Sequence, residues 1–142
     1  MQIVYAPDER AEALARGFGA EQCIPVSPAD RAAVEVQGAL LLVTTDYYTP
    51  AMWQMKRWLT ERSAMLAGRL CACLVRSENG SGGELALRSL VSQLLAAESV
   101  VCLGAVACGD GMIRLGGHTE ACAAMTPPEY HTKLLQMATK FG

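Results

Sequence analysis

The run Ala39-Leu40-Leu41-Leu42-Val43 is apolar throughout, with no polar residue interleaved. A strand with one wet face alternates apolar and polar side chains, whereas a strand covered on both faces of a parallel sheet reads as a continuous apolar run. The segment is therefore expected to be the central strand of a parallel sheet. That requirement constrains everything around it, because parallel neighbours need long crossover connections, usually helical, that cover both faces.

The rest of the chain supplies those connections. Gln2-Ile3-Val4-Tyr5 is a short apolar run followed by Pro7, and from Asp8 to Gly17 the residues Ala11, Leu14 and Ala15, with Phe18 beyond, recur at helical spacing. Gln22 to Val26 reads as a second strand, and Pro28 opens a short helix through Val36. After the central run, Thr44 to Thr49 form a polar and aromatic loop. Pro50 suits the first turn of a helix that carries Met52, Met55, Trp58, Leu59 and Leu66 inward. Leu70 to Val75 gives a fourth strand, Ser77 to Gly83 a glycine-rich loop, and Glu84 to Glu98 a helix with Leu87, Leu90, Val91, Leu94 and Leu95 at apolar spacing. Ser99 to Cys108 supplies a fifth strand, and after a Gly-rich stretch Pro127 to Phe141 closes the chain as a helix. The alternation predicts one doubly wound α/β domain over residues 1–142, with five parallel strands and helices on both faces, and the order expected for them is 2-1-3-4-5.

Composition agrees with this and removes other classes. At 142 residues the chain can bury a full core without metal or disulfide staples, and 51% hydrophobic with 18% charged residues excludes a disordered chain. A net charge of −2 with no cluster of Lys and Arg gives nucleic acid little to bind. The longest apolar stretches are about 8–10 residues, well short of the roughly 20 that span a bilayer, so no membrane span is expected. MQIVYAPDER has no charged-then-apolar signal pattern, which points to a cytoplasmic protein. Of the cysteines Cys23, Cys71, Cys73, Cys102, Cys108 and Cys122, four lie in or beside apolar runs, where Cys behaves as a small hydrophobe. No second Cys pair stands at zinc spacing, so no metal site is expected. His118 and His131 have no carboxylate or cysteine at a catalytic spacing, and surface or packing roles are assigned to both.

In an open parallel sheet the ligand crevice forms at the carboxyl ends of the strands where chain order reverses, here between strands one and three. The loops that line it are Ala6 to Arg10, Thr45 to Thr49 and Ser77 to Gly83. Tyr47 and Tyr48 offer flat amphipathic faces to a planar ring. Gly80, Gly82 and Gly83 lack a Cβ and allow close backbone approach and positive φ, while Ser77 and Asn79 supply hydrogen bonds. The first loop presents Pro7, Asp8 and Glu9 where a phosphate would want hydroxyls and free N–H groups, with Arg10 as the one cation beside them.

The segment Thr44-Thr45-Asp46-Tyr47-Tyr48-Thr49-Pro50-Ala51-Met52-Trp53-Gln54-Met55-Lys56 resembles the flavin loop of flavodoxin-like NAD(P)H:quinone oxidoreductases and NADPH-dependent FMN reductases, whose pattern is roughly G-S-P-T-Y-F-G-x-x-x-x-Q-M-K. The likeness continues through Ala67-Gly68-Arg69, similar to the family's L-x-G-K. It extends through Ser77 to Leu90, similar to its S-x-G-x-x-G-G-x-E-x-x-L loop and helix, so that about half the chain is covered. The resemblance implies a flavodoxin-like fold, FMN as cofactor and NAD(P)H as co-substrate. It implies contacts to FMN from Thr45, Asp46, Tyr47, Tyr48, Thr49, Ser77, Glu78, Asn79, Gly80 and Gly83, to which the reading of the first loop adds Arg10 as a cofactor contact, with no catalytic side chain required. The family's first loop, G-S-x-T-G-x-T, is here Ala6-Pro7-Asp8-Glu9-Arg10-Ala11, stripped of hydroxyls, and Thr45 and Thr49 replace its usual Pro and Gly.

Three functions follow. One is an FMN-dependent oxidoreductase that passes reducing equivalents from NAD(P)H to a quinone, flavin or other small acceptor. Another is a carrier that exchanges electrons with a redox partner protein. The last is a flavin-free module that uses the Tyr47/Tyr48 surface for another ligand or partner. Trp53 and Trp58 fall at helical spacing with neighbouring methionines, and an edge of that helix is a candidate homodimer contact.

Overall fold

The computed structural model describes residues 1–19, 22–26, 38–78, 80–116 and 124–141. In chain order its elements are β1 (Gln2–Tyr5), α1 (Glu9–Arg16), β2 (Gln22–Pro25), β3 (Leu40–Thr45), α2 (Pro50–Glu61), α3 (Ser63–Leu66), β4 (Leu70–Arg76), α4 (Gly80–Ala96), β5 (Val100–Ala107), β6 (Ile113–Leu115), β7 (Ala124–Met125) and α5 (Pro127–Phe141). The helix expected from Pro28 to Val36, and the positions Asn79, His118 and Cys122, lie outside the described residues.

β1 to β5 are parallel in the expected order 2-1-3-4-5. The expectation of a purely parallel sheet of five strands is corrected: β6 and β7 extend it antiparallel beyond β5, giving seven strands in the order 2-1-3-4-5-6-7. These two additions are three and two residues long, too short to leave a periodic signal inside the Gly-rich stretch. The run at Leu40–Thr45 is buried along its whole length and is the middle of the five parallel strands, although β4 is the middle of the full sheet.

The two faces are separated by the strand period of two. Val4, Leu40, Leu42, Cys71, Cys73 and Val75 point to a layer that holds Met52, Met55, Trp58 and Leu59 of α2 and Leu87, Leu90 and Leu94 of α4. Ile3, Tyr5, Leu41, Val43, Ala72 and Leu74 point to the other, against Ala11 and Ala15 of α1 and Tyr130 and Leu134 of α5. Cys71 and Cys73 are thus small apolar fillers of the first layer, and burial pushes the Cys71 thiol up to about 11. His131 packs its ring 5.5 Å from that of Phe18. β5 carries a bulge where Cys102 to Ala105 oppose Ala72 to Leu74, with Leu103 at a φ of 48°. Among the described residues, no helix is long and apolar enough to cross a membrane.

Because α1 and α2 leave β1 and β3 toward opposite faces, the connections after these adjacent strands diverge at their carboxyl ends. The switch point anticipated from the strand order therefore lies between the connections after β1 and β3, with the loop after β4 beside them.

Candidate functional site

The turn after β1 is closed by its own hydrogen bonds. Ala6 N donates to the Val43 carbonyl at 2.8 Å, Asp8 N to Ala6 at 2.7 Å, and Glu12 N to Asp8 at 2.9 Å. Asp8, in extended conformation with φ −144° and ψ 137°, is the N-cap of α1. Its Oδ1 accepts from Arg10 N at 2.8 Å and Ala11 N at 3.4 Å, taking up donors that a helix start otherwise leaves open. The Arg10 guanidinium folds back on the same carboxylate, with Nε 3.4 Å from Oδ1 and Nη2 3.4 Å from Oδ2. Burial raises the Asp8 pKa, but the Arg10 side chain, the Arg10 amide, the Arg10 charge and the Ala11 amide together outweigh it and hold the carboxyl below its ordinary range.

Arg10 also reaches across the crevice, its Nη1 standing 3.2 Å from Oε1 of Glu78. Arg76 approaches the same Glu78 oxygen at 3.6 Å and donates to the Ser77 carbonyl at 2.6 Å. The first loop and the loop after β4 are thus joined by an ion pair.

A second clasp joins the loops after β3 and β4. Ser77 Oγ donates to Asp46 Oδ1 at 2.6 Å, Glu78 N donates to Asp46 Oδ2 at 3.1 Å, and Tyr47 N donates to the Gly82 carbonyl at 3.1 Å. The approach depends on small residues. A Cβ on Gly83 would stand 2.7 Å from Ser77 Cβ, and one on Gly82 would stand 3.1 Å from Asp46 Oδ1. The glycine-rich loop expected over Ser77 to Gly83 is corrected here. Gly80 opens α4, and Gly82 and Gly83 serve close packing within the helix rather than a positive φ.

Thr45 and Thr49 are brought together, their hydroxyls 2.7 Å apart. Thr49 is the N-cap of α2, accepting from Met52 N at 3.2 Å and donating to the Asp46 carbonyl at 2.9 Å. At the mouth, Tyr47 meets Tyr48 edge-on with ring centroids 5.1 Å apart and meets Trp53 at 5.6 Å. Tyr48 is 78% exposed and Trp53 52%, so flat aromatic surface faces outward beside the crevice. Lys56 Nζ stands 5.2 Å over the Trp53 ring.

The structure therefore brings together Arg10 and Glu78 in one contact set, Asp46, Ser77 and the Gly82/Gly83 backbone in a second, and Tyr47 with Tyr48 in a third. Three participants escaped the sequence reading of the site. Trp53 lies off the inward positions of α2, and that spacing was the available signal. Arg76 is the last residue of β4. Asp8 as a cap had a signal too, in Pro-Asp-Glu directly ahead of a helical period.

Measured against FMN, the two ends of the crevice differ. The aromatic face suits a planar ring. The turn does not fit a phosphate, because the amides of Ala6, Asp8, Arg10, Ala11 and Glu12 already have acceptors within the chain, Pro7 has none to give, and Asp8 lends its own negative charge.

No family model matches the chain. Among curated proteins, a flavodoxin of Clostridium saccharobutylicum is 29% identical to it over 89 residues, a stretch covering 61% of this chain and 56% of that protein. The chain thus matches little more than half the length of that relative. The order of the parallel strands and this similarity support a flavodoxin-like α/β fold.

Proposed function

We propose that the chain is a flavodoxin-like redox module that receives a flavin-type ring against Tyr47, Tyr48 and Trp53 at the mouth of the crevice. The observation that carries this reading is the outward-facing aromatic group at the carboxyl end of β3, with Tyr48 78% exposed, beside the point where strand order reverses. Similarity to a flavodoxin supports the flavin class. A bound flavin supplies electron and hydride chemistry, and the protein's part is to seat and orient it.

The narrower activity is NAD(P)H-dependent reduction of a quinone, flavin or other small acceptor. Exchange with a redox partner protein is the alternative within the same class. Titrating the protein into riboflavin and, separately, FMN and following flavin fluorescence tests the broader reading. Quenching is expected for at least one of them, and Tyr48→Ala is expected to weaken it about threefold to tenfold through loss of a stacking surface. With the flavin seated, oxidation of NADH or NADPH with and without a quinone separates reductase from carrier. If neither flavin binds at millimolar concentration, the redox reading falls and the flavin-free module stands. That second reading is favoured by the turn after β1, which is complete without a ligand.

A further inference from the structure

At the start of the first crossover helix, a doubly wound sheet usually meets its ligand's anion with free amides and the positive end of the helix dipole. In this chain the Arg10 and Ala11 amides of that turn are held by the Asp8 carboxylate and the Glu12 amide by the Asp8 carbonyl. We infer that Asp8 fills the anion position of the crevice from within the chain, so that the site takes a neutral planar ring, an isoalloxazine without phosphate, in preference to its phosphorylated form. This rests on the ring-binding reading above.

The hydrogen bonds alone make the exchange unfavourable. A phosphate entering the turn has to displace the Asp8 carboxylate from Arg10 N at 2.8 Å and Ala11 N at 3.4 Å, and from the Arg10 guanidinium at 3.4 Å. The displaced carboxylate would then stand beside a dianion with no donor of its own. Arg10 cannot turn to the phosphate without also releasing Glu78, now 3.2 Å away, which would leave a second carboxylate facing the incoming charge. Arg76 is held by the Ser77 carbonyl at 2.6 Å and by Glu78 at 3.6 Å. A neutral ring makes none of these demands, since the aromatic face at Tyr47 and Tyr48 lies on the loop after β3.

Binding of riboflavin and of FMN to the whole chain, measured side by side by fluorescence quenching and calorimetry, tests the inference. The wild-type protein is expected to bind riboflavin about tenfold or more tightly than FMN at low salt, since each misplaced charge contact costs on the order of a factor of ten. Asp8→Asn keeps an N-cap side chain while removing the charge. It is expected to tighten FMN about tenfold and to leave riboflavin within about twofold. FMN binding as well as or better than riboflavin in the wild type overturns the inference and leaves the ring-binding reading intact. Failure of both flavins to bind overturns the two together. An equal gain for both ligands in Asp8→Asn overturns the charge account, because it would reflect a loosened turn. The wild-type comparison decides the matter without the variant, whose folding is checked by circular dichroism.

Discussion

Asp8 joins two kinds of physics in one carboxylate, accepting from two of the open donors of α1 and pairing with the Arg10 guanidinium. An Asp N-cap is worth about 0.5–2 kcal/mol relative to Ala. Asp8→Ala is expected to lower the unfolding free energy by about 1 kcal/mol at neutral pH, measured by urea titration. Because the folded Asp8 pKa lies below its ordinary value, its stabilisation is fully present above the ordinary carboxylate range and is lost as pH falls through the lower, folded value. Wild type and Asp8→Ala should therefore converge in acid, and equal stability at pH 7 would remove the cap from the account. Residue identity alone showed that Asp8 and Glu9 oppose a phosphate. Which atoms the carboxylate would engage depended on the extended backbone at Asp8 and the helical one after it, which a residue type does not specify.

At the scale of elements, α4 shows how packing overrides local preference. Gly82 and Gly83 read as loop because glycine weakens a helix interior by about 1 kcal/mol. They are helical because the first turn lies against Asp46 and Ser77, where a Cβ on Gly83 would come within 2.7 Å of Ser77. The other end of α4 is a Schellman motif. Ser99 N donates to the Leu94 carbonyl at 3.0 Å and Glu98 N to that of Leu95 at 3.0 Å, with Glu98 held at a φ of 64°. A side chain at that φ is strained, whereas glycine adopts it freely. Glu98→Gly should accordingly stabilise the protein by about 0.5–1 kcal/mol despite the added freedom of the unfolded chain, read as a rise in melting temperature. A fall on substitution would mean that the Glu98 side chain contributes more than its backbone costs. α2, by contrast, was legible at Met52, Met55, Trp58 and Leu59, which repeat at the helical period and are all buried, while Leu66, expected on the same helix, is buried from the separate α3.

Across the whole molecule, the core contains ionisable groups that are stable only while neutral. Burial raises the Cys71 thiol to about 11 and drives Cys73 higher still, and it lifts Tyr130 well above its ordinary value although its hydroxyl donates to the Leu103 carbonyl at 2.8 Å. Each folded value exceeds the unfolded one. The stabilisation is therefore complete below the unfolded thiol value of about 8.5 and the tyrosine value of about 10, and declines as pH rises above them. Melting temperature should hold level through neutral pH and fall from about pH 9 upward, more gently in Cys71→Ala. A melting temperature unchanged at pH 10.5 would show that water reaches these groups without unfolding.

Taken by itself, the sequence determined the alternation of strands and helices, the parallel order 2-1-3-4-5 and the faces that the strands and α2 bury. The alternation and the buried faces follow from periodicities of two and 3.6 residues that are local to each segment, whereas the order, a pairing of distant segments, was implied by the flavodoxin-like resemblance. The tertiary structure alone decided the antiparallel edge of β6 and β7, the helical state of Gly82 and Gly83, and the closure of the crevice. The physical reason is range. The bonds from Ser77 and Glu78 to Asp46 join residues 31 and 32 positions apart. Such a choice of partner depends on distance and angle in the folded chain, not on spacing along it.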